Sequence, residues 1–454
     1  MKNFIVRTLV AISLSALMFA QAPAAKQSKT FAKPPAMSPA PPPQLGPVAL
    51  RGGKLLTISH GVIENGVVVL ENGKIAAVGG AGTAIPKNAR VIDCTGMTIY
   101  PGLIDSSTQL GLTEISAVDM TNDLVETSDE IMPHMHVSDA FHAESELIPV
   151  TRMNGITNAV VVPASRDTLP GQMAFIKLDG RDKDDMLLIR DISMPLNFTG
   201  RQRRNESFNT SRYPSTRMGM AAQLRQAFID AQDYAQKWDD YNKKGADNSK
   251  DKKDAGSPPK RDFRLEALIP YLQGKKPVVL TASEPSDIKT AMRLAKEFNL
   301  KVILGGIAHA QMMVDEIAAS HLPVIVGSIY DIPDTNERYD IEYSWPAELV
   351  KHGVKIAFAS YDSHNVRNLP YAAGYAVAYG LPYEEAMKAL TINPAEIWGV
   401  SDQLGSLDVG KTANVVVANG DPLDPRTDVK RVFIAGRDIP MVSRQTELRD
   451  EYSK

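Results

Sequence analysis

Apolar positions repeat with two different periods along this chain. Residues 48–99 contain short apolar runs of strand type, separated by Asn65-Gly66 and Asn72-Gly73. Asn-Gly between apolar runs supplies the positive φ angles of a tight hairpin, which predicts an antiparallel β unit. Short apolar runs of the same strand type return in residues 413–418 and 429–434. We therefore expect both ends of the chain to pair into one small β-sandwich.

The middle of the chain alternates between apolar strands and amphipathic helices. Continuous apolar runs predict strands at 160–162, 277–280, 301–304, 323–326 and 355–358. Ile288, Ala291 and Ala295 fall on one face of a helix between the second and third of these runs. This alternation predicts an α/β fold with a parallel sheet, and the number of units fits a (β/α)8 TIM-like barrel. An open doubly wound sheet is the alternative, although no glycine-rich phosphate-binding loop follows any of these strands.

Composition divides the chain into segments. Residues 1–24 begin with Lys2 and Arg7, continue through an apolar run and end in small residues, the order of a secretory signal peptide. Residues 25–47 are rich in Pro and Ala and predict a linker. We expect a composite β-sandwich domain from 48–100 and 401–445, and a barrel from 101–400. The polar stretch 197–262 interrupts the alternation of strands and helices and predicts an inserted lid.

Charge and cysteine content exclude several classes of function. The 50 Lys and Arg nearly balance the 53 Asp and Glu, without a clustered basic stripe, which argues against nucleic-acid binding. No segment after the signal peptide approaches the length of a transmembrane helix, so we expect no stable membrane insertion. Cys94 is the only cysteine and cannot form an internal disulfide. We expect an exported, periplasmic protein that binds a small molecule; a homo-oligomer is possible.

Two motifs resemble the barrel ends of the amidohydrolase superfamily. Residues 91–105, which finish with the letters YPGLID, resemble the segment by which those chains pass from the β-sandwich into the barrel. The letters NPA at 393–395 and residues 405–414 resemble the segment by which they return. The resemblance spans residues 48–442 and is closest to the exported, imidazolonepropionase-like branch, on segments 171–172 and 367–371.

The resemblance implies hydrolysis by a hydroxide held on one or two divalent ions at the strand ends. The ligand histidines of the family align with Ser107, Gln109, Thr281 and Gly305 in this sequence, and the family's catalytic aspartate aligns with Asp362. Hydroxyl and amide groups are poor zinc ligands, and glycine has no side chain. We therefore expect no cofactor, with a zinc-like ion implied only if the family chemistry persists.

Other polar residues are candidates for binding. Gln172, His364 and Arg367 are candidates for substrate contacts, and the planar guanidinium of Arg367 suits a carboxylate. His134 and His136 are one residue apart, so in an extended segment they would share a face and could hold a metal. A polar loop beside the barrel mouth is the alternative interpretation of these histidines.

Two hypotheses of function follow from these residues. The first is a hydrolase of carbon–nitrogen bonds in small molecules such as cyclic amides or dipeptides, with Asp362 as its catalytic residue. The alternative is a catalytically inactive homologue that binds a small ligand or a protein partner, because fold and site are separable.

Overall fold

The computed structural model describes residues 46–199, 213–247, 257–282, 284–307, 310–327, 329–330 and 337–453. The predicted signal peptide, nearly all of the predicted linker, and residues 200–212 and 248–256 of the predicted lid lie outside the described residues. Among the helices that are described, none combines the length and the hydropathy needed to cross a bilayer.

The described residues form sixteen strands and twelve α-helices. The strands β1 to β16 are Val48–Leu56, Val62–Glu71, Lys74–Gly79, Arg90–Asp93, Thr98–Pro101, Leu103–Thr108, Ile156–Val161, Met173–Lys177, Leu187–Asn197, Pro277–Thr281, Lys301–Gly305, Val324–Val326, Ile356–Phe358, Val415–Ala418, Val429–Ile434 and Arg437–Ile439. The helices α1 to α12 are Val137–Ala140, Leu147–Arg152, Lys183–Met186, Arg217–Asp247, Phe263–Leu272, Pro285–Glu297, Val314–Ser320, Ile341–Lys351, Leu369–Ala378, Tyr383–Leu390, Ile392–Ile397 and Arg444–Tyr452.

Both ends of the described chain meet in one eight-stranded sheet. Its order is β16-β15-β14-β5-β1-β2-β3, and β4 also pairs with β1. Strand β14 runs antiparallel to β5 and joins the two ends, with Val416 opposite Tyr100. Strand β1 pairs with β4 over its first half and with β5 over its second, on either side of a register shift at Gly53. A strand that changes partner across a bulge can form the corner of a sandwich. The two-layer arrangement and the domain boundaries stay predictions.

The two Asn-Gly pairs have different roles. Asn72-Gly73 forms the predicted tight turn between β2 and β3, with positive φ angles at both residues. The prediction of a second hairpin at Asn65-Gly66 is wrong, because β2 continues through both residues. A Cβ on Gly66 would lie 2.4 Å from Leu55 Cδ1. The glycine is therefore required by the close approach of β1 rather than by a chain reversal.

The middle of the chain forms a mixed α/β fold around a nearly closed sheet of eight strands. The strands lie in the order β13-β12-β11-β10-β9-β8-β7-β6. Most neighbours are parallel, as predicted, but β8 runs antiparallel to both β7 and β9. Antiparallel neighbours do not require a helical crossover, which explains why no helix separates β7 from β8. At the opposite edges, the amide of Tyr361 donates to the carbonyl of Ser107 at 2.9 Å and brings the segment after β13 against β6.

One apolar cluster fills the interior of this barrel. The cluster contains one side chain from each of seven barrel strands, β6 to β12, and one from the residue directly after the eighth strand, β13. These are Ile104, Val160, Met173, Ile192, Val279, Ile303, Ile325 and Ala359. Trp398 and Leu404 belong to the same cluster. They follow α11, where Asn393 Nδ2 donates to the carbonyl of Ile356 at the start of β13. This segment therefore closes the amino-terminal end of the barrel.

The described part of the predicted lid contains the long helix α4. Its apolar face packs against α5 and α6, with the rings of Phe228 and Phe298 5.0 Å apart. The guanidinium of Arg217 pairs with the buried carboxylate of Asp287 on α6, and Arg225 pairs with Glu297 on the same helix. Helix α4 is thus attached to the outer helices, and its role as a lid stays a prediction.

Candidate functional site

The parallel strands of the barrel end at a common rim, and the predicted ligand positions lie on it. Ser107 lies near the end of β6, Thr281 ends β10 and Gly305 ends β11. The amide of Gln109 donates to the carbonyl of Asp362 at 3.0 Å, which places the segment after β13 beside the end of β6. The structure thus brings all five sequence-predicted positions to the carboxyl ends of the strands, where barrel proteins place their sites.

The ring of Tyr361 packs against the interior cluster and the ends of two neighbouring strands. Its backbone φ is 49°, a left-handed conformation that bulky residues rarely adopt. A Cβ placed on Gly305 would lie 3.0 Å from the Tyr361 hydroxyl oxygen, and one on Gly327 would lie 3.6 Å from the ring. Glycines at the ends of β11 and β12 therefore make room for the ring. Tyr361 was not among the residues predicted from the sequence, although glycines after two neighbouring strands were a usable signal.

Asp362 is the carboxylate at the rim. Its side chain is 36% exposed and accepts hydrogen bonds from the amides of His364 at 2.7 Å and Asn365 at 3.3 Å, and from Asn365 Nδ2 at 2.9 Å. Partial burial opposes ionisation, but the hydrogen bonds from Asn365 and His364 outweigh it and lower the pKa of Asp362. The carboxylate is therefore ionised at neutral pH and caps its own loop. Its predicted catalytic role stays a prediction.

A second carboxyl group lies beneath the rim. Asp105 is fully buried, and its Oδ1 accepts from the amides of Ser107 at 3.0 Å and Ser360 at 3.1 Å. Within the described residues its Oδ2 has no hydrogen-bond partner. Burial raises the pKa of Asp105 to about 7. Asp105 connects β6 to the segment after β13. It was not among the predicted site residues, although the YPGLID motif ends on it.

The groups at the rim do not fit a zinc-like ion. The side chain of Ser107 is buried, Thr281 offers a neutral hydroxyl and Gly305 offers no side chain. Both oxygens of Asp362 are bonded within its own loop. In the part of the chain that the structure describes, no three His, Cys, Asp or Glu side chains are grouped so that they could hold a metal. Zinc takes imidazole, thiolate and carboxylate ligands. The expected absence of a metal stays a prediction.

Two predicted substrate-binding residues near the rim are engaged by the protein. The ring nitrogens of His364 lie 2.8 Å from Ser363 Oγ and 2.9 Å from the carbonyl oxygen of Glu114. Arg367 is exposed, and its Nη1 donates to the carbonyl of His364 at 2.8 Å within the same turn. Substrate binding by the His364 ring would therefore replace an internal hydrogen bond, whereas Arg367 has further N–H donors beside the one that is bonded. Both roles stay predictions.

The remaining predicted residues lie away from the rim's centre. Gln172 is buried; its Nε2 donates to the carbonyl of Pro133 at 3.1 Å, and its Oε1 accepts from the hydroxyl of Tyr271 at 3.0 Å. The backbone of Gln172 also pairs with that of His136. Gln172 therefore anchors the segment that carries His134 and His136, and these two histidines line a separate cleft.

Comparisons with known sequences find likeness to amidohydrolases, and the matched family model includes the second of the two motifs. Residues 301–439 match the model of the amidohydrolase family. Amidohydrolase tasK of Hapsidospora irregularis is 26% identical over 409 residues, which are 86% of this chain and 41% of that relative. A dihydroorotase of Syntrophus aciditrophicus (strain SB) is 36% identical over 63 residues, 14% of this chain and 15% of that relative. The chain thus spans less than half the length of these relatives.

Comparisons of structure extend the likeness to the whole barrel. The crystal structure of an amidohydrolase from Thermotoga maritima MSB8 matches with a TM-score of 0.76 and 26% identity, over 87% of this chain and 100% of that chain. Molinate hydrolase matches with a TM-score of 0.53 and 15% identity, over 87% of this chain and 95% of that chain, which is a likeness of fold alone. The chain is thus similar to amidohydrolases in sequence and in fold. Its assignment to the imidazolonepropionase-like branch stays a prediction.

Proposed function

We propose that this protein hydrolyses a carbon–nitrogen bond of a small molecule bound at the barrel rim. The observation that carries the proposal is the ionised, partly exposed carboxylate of Asp362, held beside Gln109 where the strands end. The likeness to proteins named amidohydrolase and dihydroorotase supports chemistry at an amide-type bond.

The rim offers hydrogen-bonding groups that are complementary to an amide. Asp362 accepts hydrogen bonds, Gln109 can both donate and accept, and Thr281 contributes a hydroxyl. An amide presents an N–H and a carbonyl, so its N–H can donate to Asp362 while its carbonyl accepts from Gln109. Because its pKa is lowered, Asp362 is a weak base at neutral pH, and its role is to orient a water molecule or the substrate N–H. The Tyr361 ring forms the floor beneath them.

The experiment measures turnover by the purified mature protein on a panel of dipeptides, hydantoins, lactams and dihydroorotate. Each assay is run with added zinc and with chelator, and elemental analysis measures the metal content. Asp362→Asn should lower kcat/KM by about 100-fold, because it removes the charge and keeps the shape. Asp424→Asn is the matched control, since Asp424 pairs with Arg426 in the loop between β14 and β15.

The outcomes separate the two hypotheses of function. No turnover on any substrate in either condition would contradict a hydrolase. Thermal stabilisation by one of these compounds without product formation would favour the inactive, ligand-binding homologue instead. Equal loss of activity in the Asp362 and Asp424 variants would show that the carboxylate at the rim has no special role.

We also propose that the protein acts after export to the periplasm. The charged, apolar and small-residue order of the first 24 residues supports this location. Cell fractionation of the tagged full-length chain, with mass spectrometry of its amino terminus, tests the proposal. Cleavage after Ala24 is expected, and an uncleaved chain in the cytoplasmic fraction would contradict it.

A further inference from the structure

A cleft outside the barrel is lined by three imidazoles. Its volume is about 680 Å³, and its polar lining consists of Asp123, His134, His136, Asp139, His142 and Lys183. Helix α1, which lies between His136 and His142, packs against β8 and β9. On β9, Ile192 belongs to the interior cluster, so its neighbour Asp191 faces outward, toward His136. The cleft is therefore separate from the interior of the barrel.

Carboxylates fix the orientation of two of these imidazoles. His136 Nδ1 lies 2.6 Å from Asp191 Oδ1, and Lys276 Nζ lies 3.9 Å from the other oxygen of Asp191. His142 Nε2 lies 2.9 Å from Asp123 Oδ2. A carboxylate only accepts hydrogen bonds, so the ring nitrogen that faces it carries a proton. His136 Nε2 and His142 Nδ1 are then the ring nitrogens left for a ligand.

One ammonium at the cleft has no carboxylate partner within the described residues. Each carboxylate already has a nitrogen partner, because Asp139 pairs with Arg190 and Asp123 pairs with His142. By contrast, Lys183 Nζ lies 3.4 Å from a neutral group, the carbonyl oxygen of Asp139. The groups that can still bind a ligand are therefore a lysine ammonium and two ring nitrogens, which accept a hydrogen bond from a ligand hydroxyl while the ring is neutral and donate one when it is protonated.

The third imidazole of the cleft, His134, has a ring nitrogen without a partner within the described residues. His134 Nδ1 is buried and has no hydrogen-bond partner within the described residues. Burial lowers the pKa of His134, so its ring is neutral at neutral pH and offers a donor and an acceptor. A buried polar atom without a partner costs free energy.

We propose that this cleft binds a small oxyanion, a carboxylate or phosphate group, through Lys183 and the imidazoles of His136 and His142. The site goes beyond the proposed hydrolytic function, because none of these three residues lies at the rim. Asp191 and Asp123 act as positioning residues that hold the two rings. The apolar side chains of Met135 and Phe141 in the same cleft would contact the body of the molecule that carries the anionic group.

Isothermal titration with inorganic phosphate, and separately with acetate, tests the proposal on the mature protein in a non-coordinating buffer. NMR spectra of histidine side chains are recorded in parallel. Saturable binding of at least one probe is expected, with shifts of the His136 and His142 signals. Lys183→Gln and His136→Gln should each weaken binding at least fivefold, while the midpoint of thermal unfolding stays unchanged. Asp191→Asn should weaken binding less than His136→Gln, because it only frees the ring.

Matched controls lie outside the cleft. Lys351→Gln removes an ammonium at the last residue of α8, and His352→Gln removes the imidazole directly after it. Both side chains contact Glu348. Neither variant should change binding. Non-saturable shifts, or equal weakening by the control variants, would overturn the proposal. Zinc binding that His136→Gln abolishes, without any binding of phosphate or acetate, would also overturn it in favour of a metal site.

Discussion

The packing of Tyr361 against Gly305 predicts a measurable coupling between the two positions. In Gly305→Ala, the new methyl group would lie 2.6 Å from Val279 Cγ1 and 3.0 Å from the Tyr361 hydroxyl oxygen. Both distances are shorter than ordinary contacts, and overpacking of this kind costs about 1–3 kcal/mol. Replacing glycine in a strand recovers about 0.5–1 kcal/mol of chain entropy. The free energy of unfolding should therefore fall by about 1–2 kcal/mol.

Tyr361→Phe removes one of the two clashes. The hydroxyl is buried beside Ser107 and the backbone of Gly306 without full hydrogen-bond geometry. Its removal should therefore change the free energy of unfolding by less than about 1 kcal/mol. Without the hydroxyl, the methyl group at position 305 meets only Val279. Gly305→Ala should then cost about 1 kcal/mol less than it does in the natural chain, which is the coupling energy.

Urea unfolding of the natural chain, both single variants and the double variant measures this coupling. Fluorescence reports on the interior, because Trp398 lies in its cluster. The four m-values must agree for the comparison to hold. Gly327→Ala is the matched control, since its Cβ would lie at an ordinary 3.6 Å from the same ring. If the changes in free energy of unfolding of the two single variants sum to that of the double variant within about 0.3 kcal/mol, the packing of Tyr361 against Gly305 is refuted.

Three further predictions concern groups that the fold buries or pairs. The pKa of Asp105 is raised to about 7, so the unfolded chain releases this proton near pH 4 and the folded chain near pH 7. The free energy of unfolding should therefore fall as pH rises between these values. Urea titrations at several pH values measure this slope, and Asp105→Asn should flatten it. An unchanged slope in the variant would contradict the raised pKa of Asp105. Asn414→Ala should lower the free energy of unfolding by about 1–3 kcal/mol, because its buried amide joins the end sheet to the barrel; a loss below about 0.5 kcal/mol would show that water replaces these bonds. Arg217→Ala leaves the buried Asp287 carboxylate unpaired and should cost about 2 kcal/mol, whereas the exposed Arg225→Ala on the same helix should cost less than about 1 kcal/mol. Equal costs for the two would contradict this account.

The chemistry of the candidate site was only partly visible in the sequence. The family resemblance placed Ser107, Thr281 and Asp362 at strand ends, and the structure brings them to one rim. The motifs gave no sign of Tyr361 or of the unpartnered oxygen of Asp105. The seat of the Tyr361 ring depends on glycines at the ends of two other strands, and the setting of Asp105 depends on a bond from Ser360, 255 residues further along the chain.

Local periodicity in the sequence determined which segments are strands, which are helices and which faces are apolar. It predicted the joining of the two ends, the α/β class and the turn at Asn72-Gly73, because these follow from alternating side chains and from residues that accept positive φ. The tertiary structure alone decided the antiparallel direction of β8, the continuation of β2 through Asn65 and the ring seated over Gly305. Strand direction and side-chain volume are settled by neighbours that are distant in the sequence, and a local pattern carries no information about them.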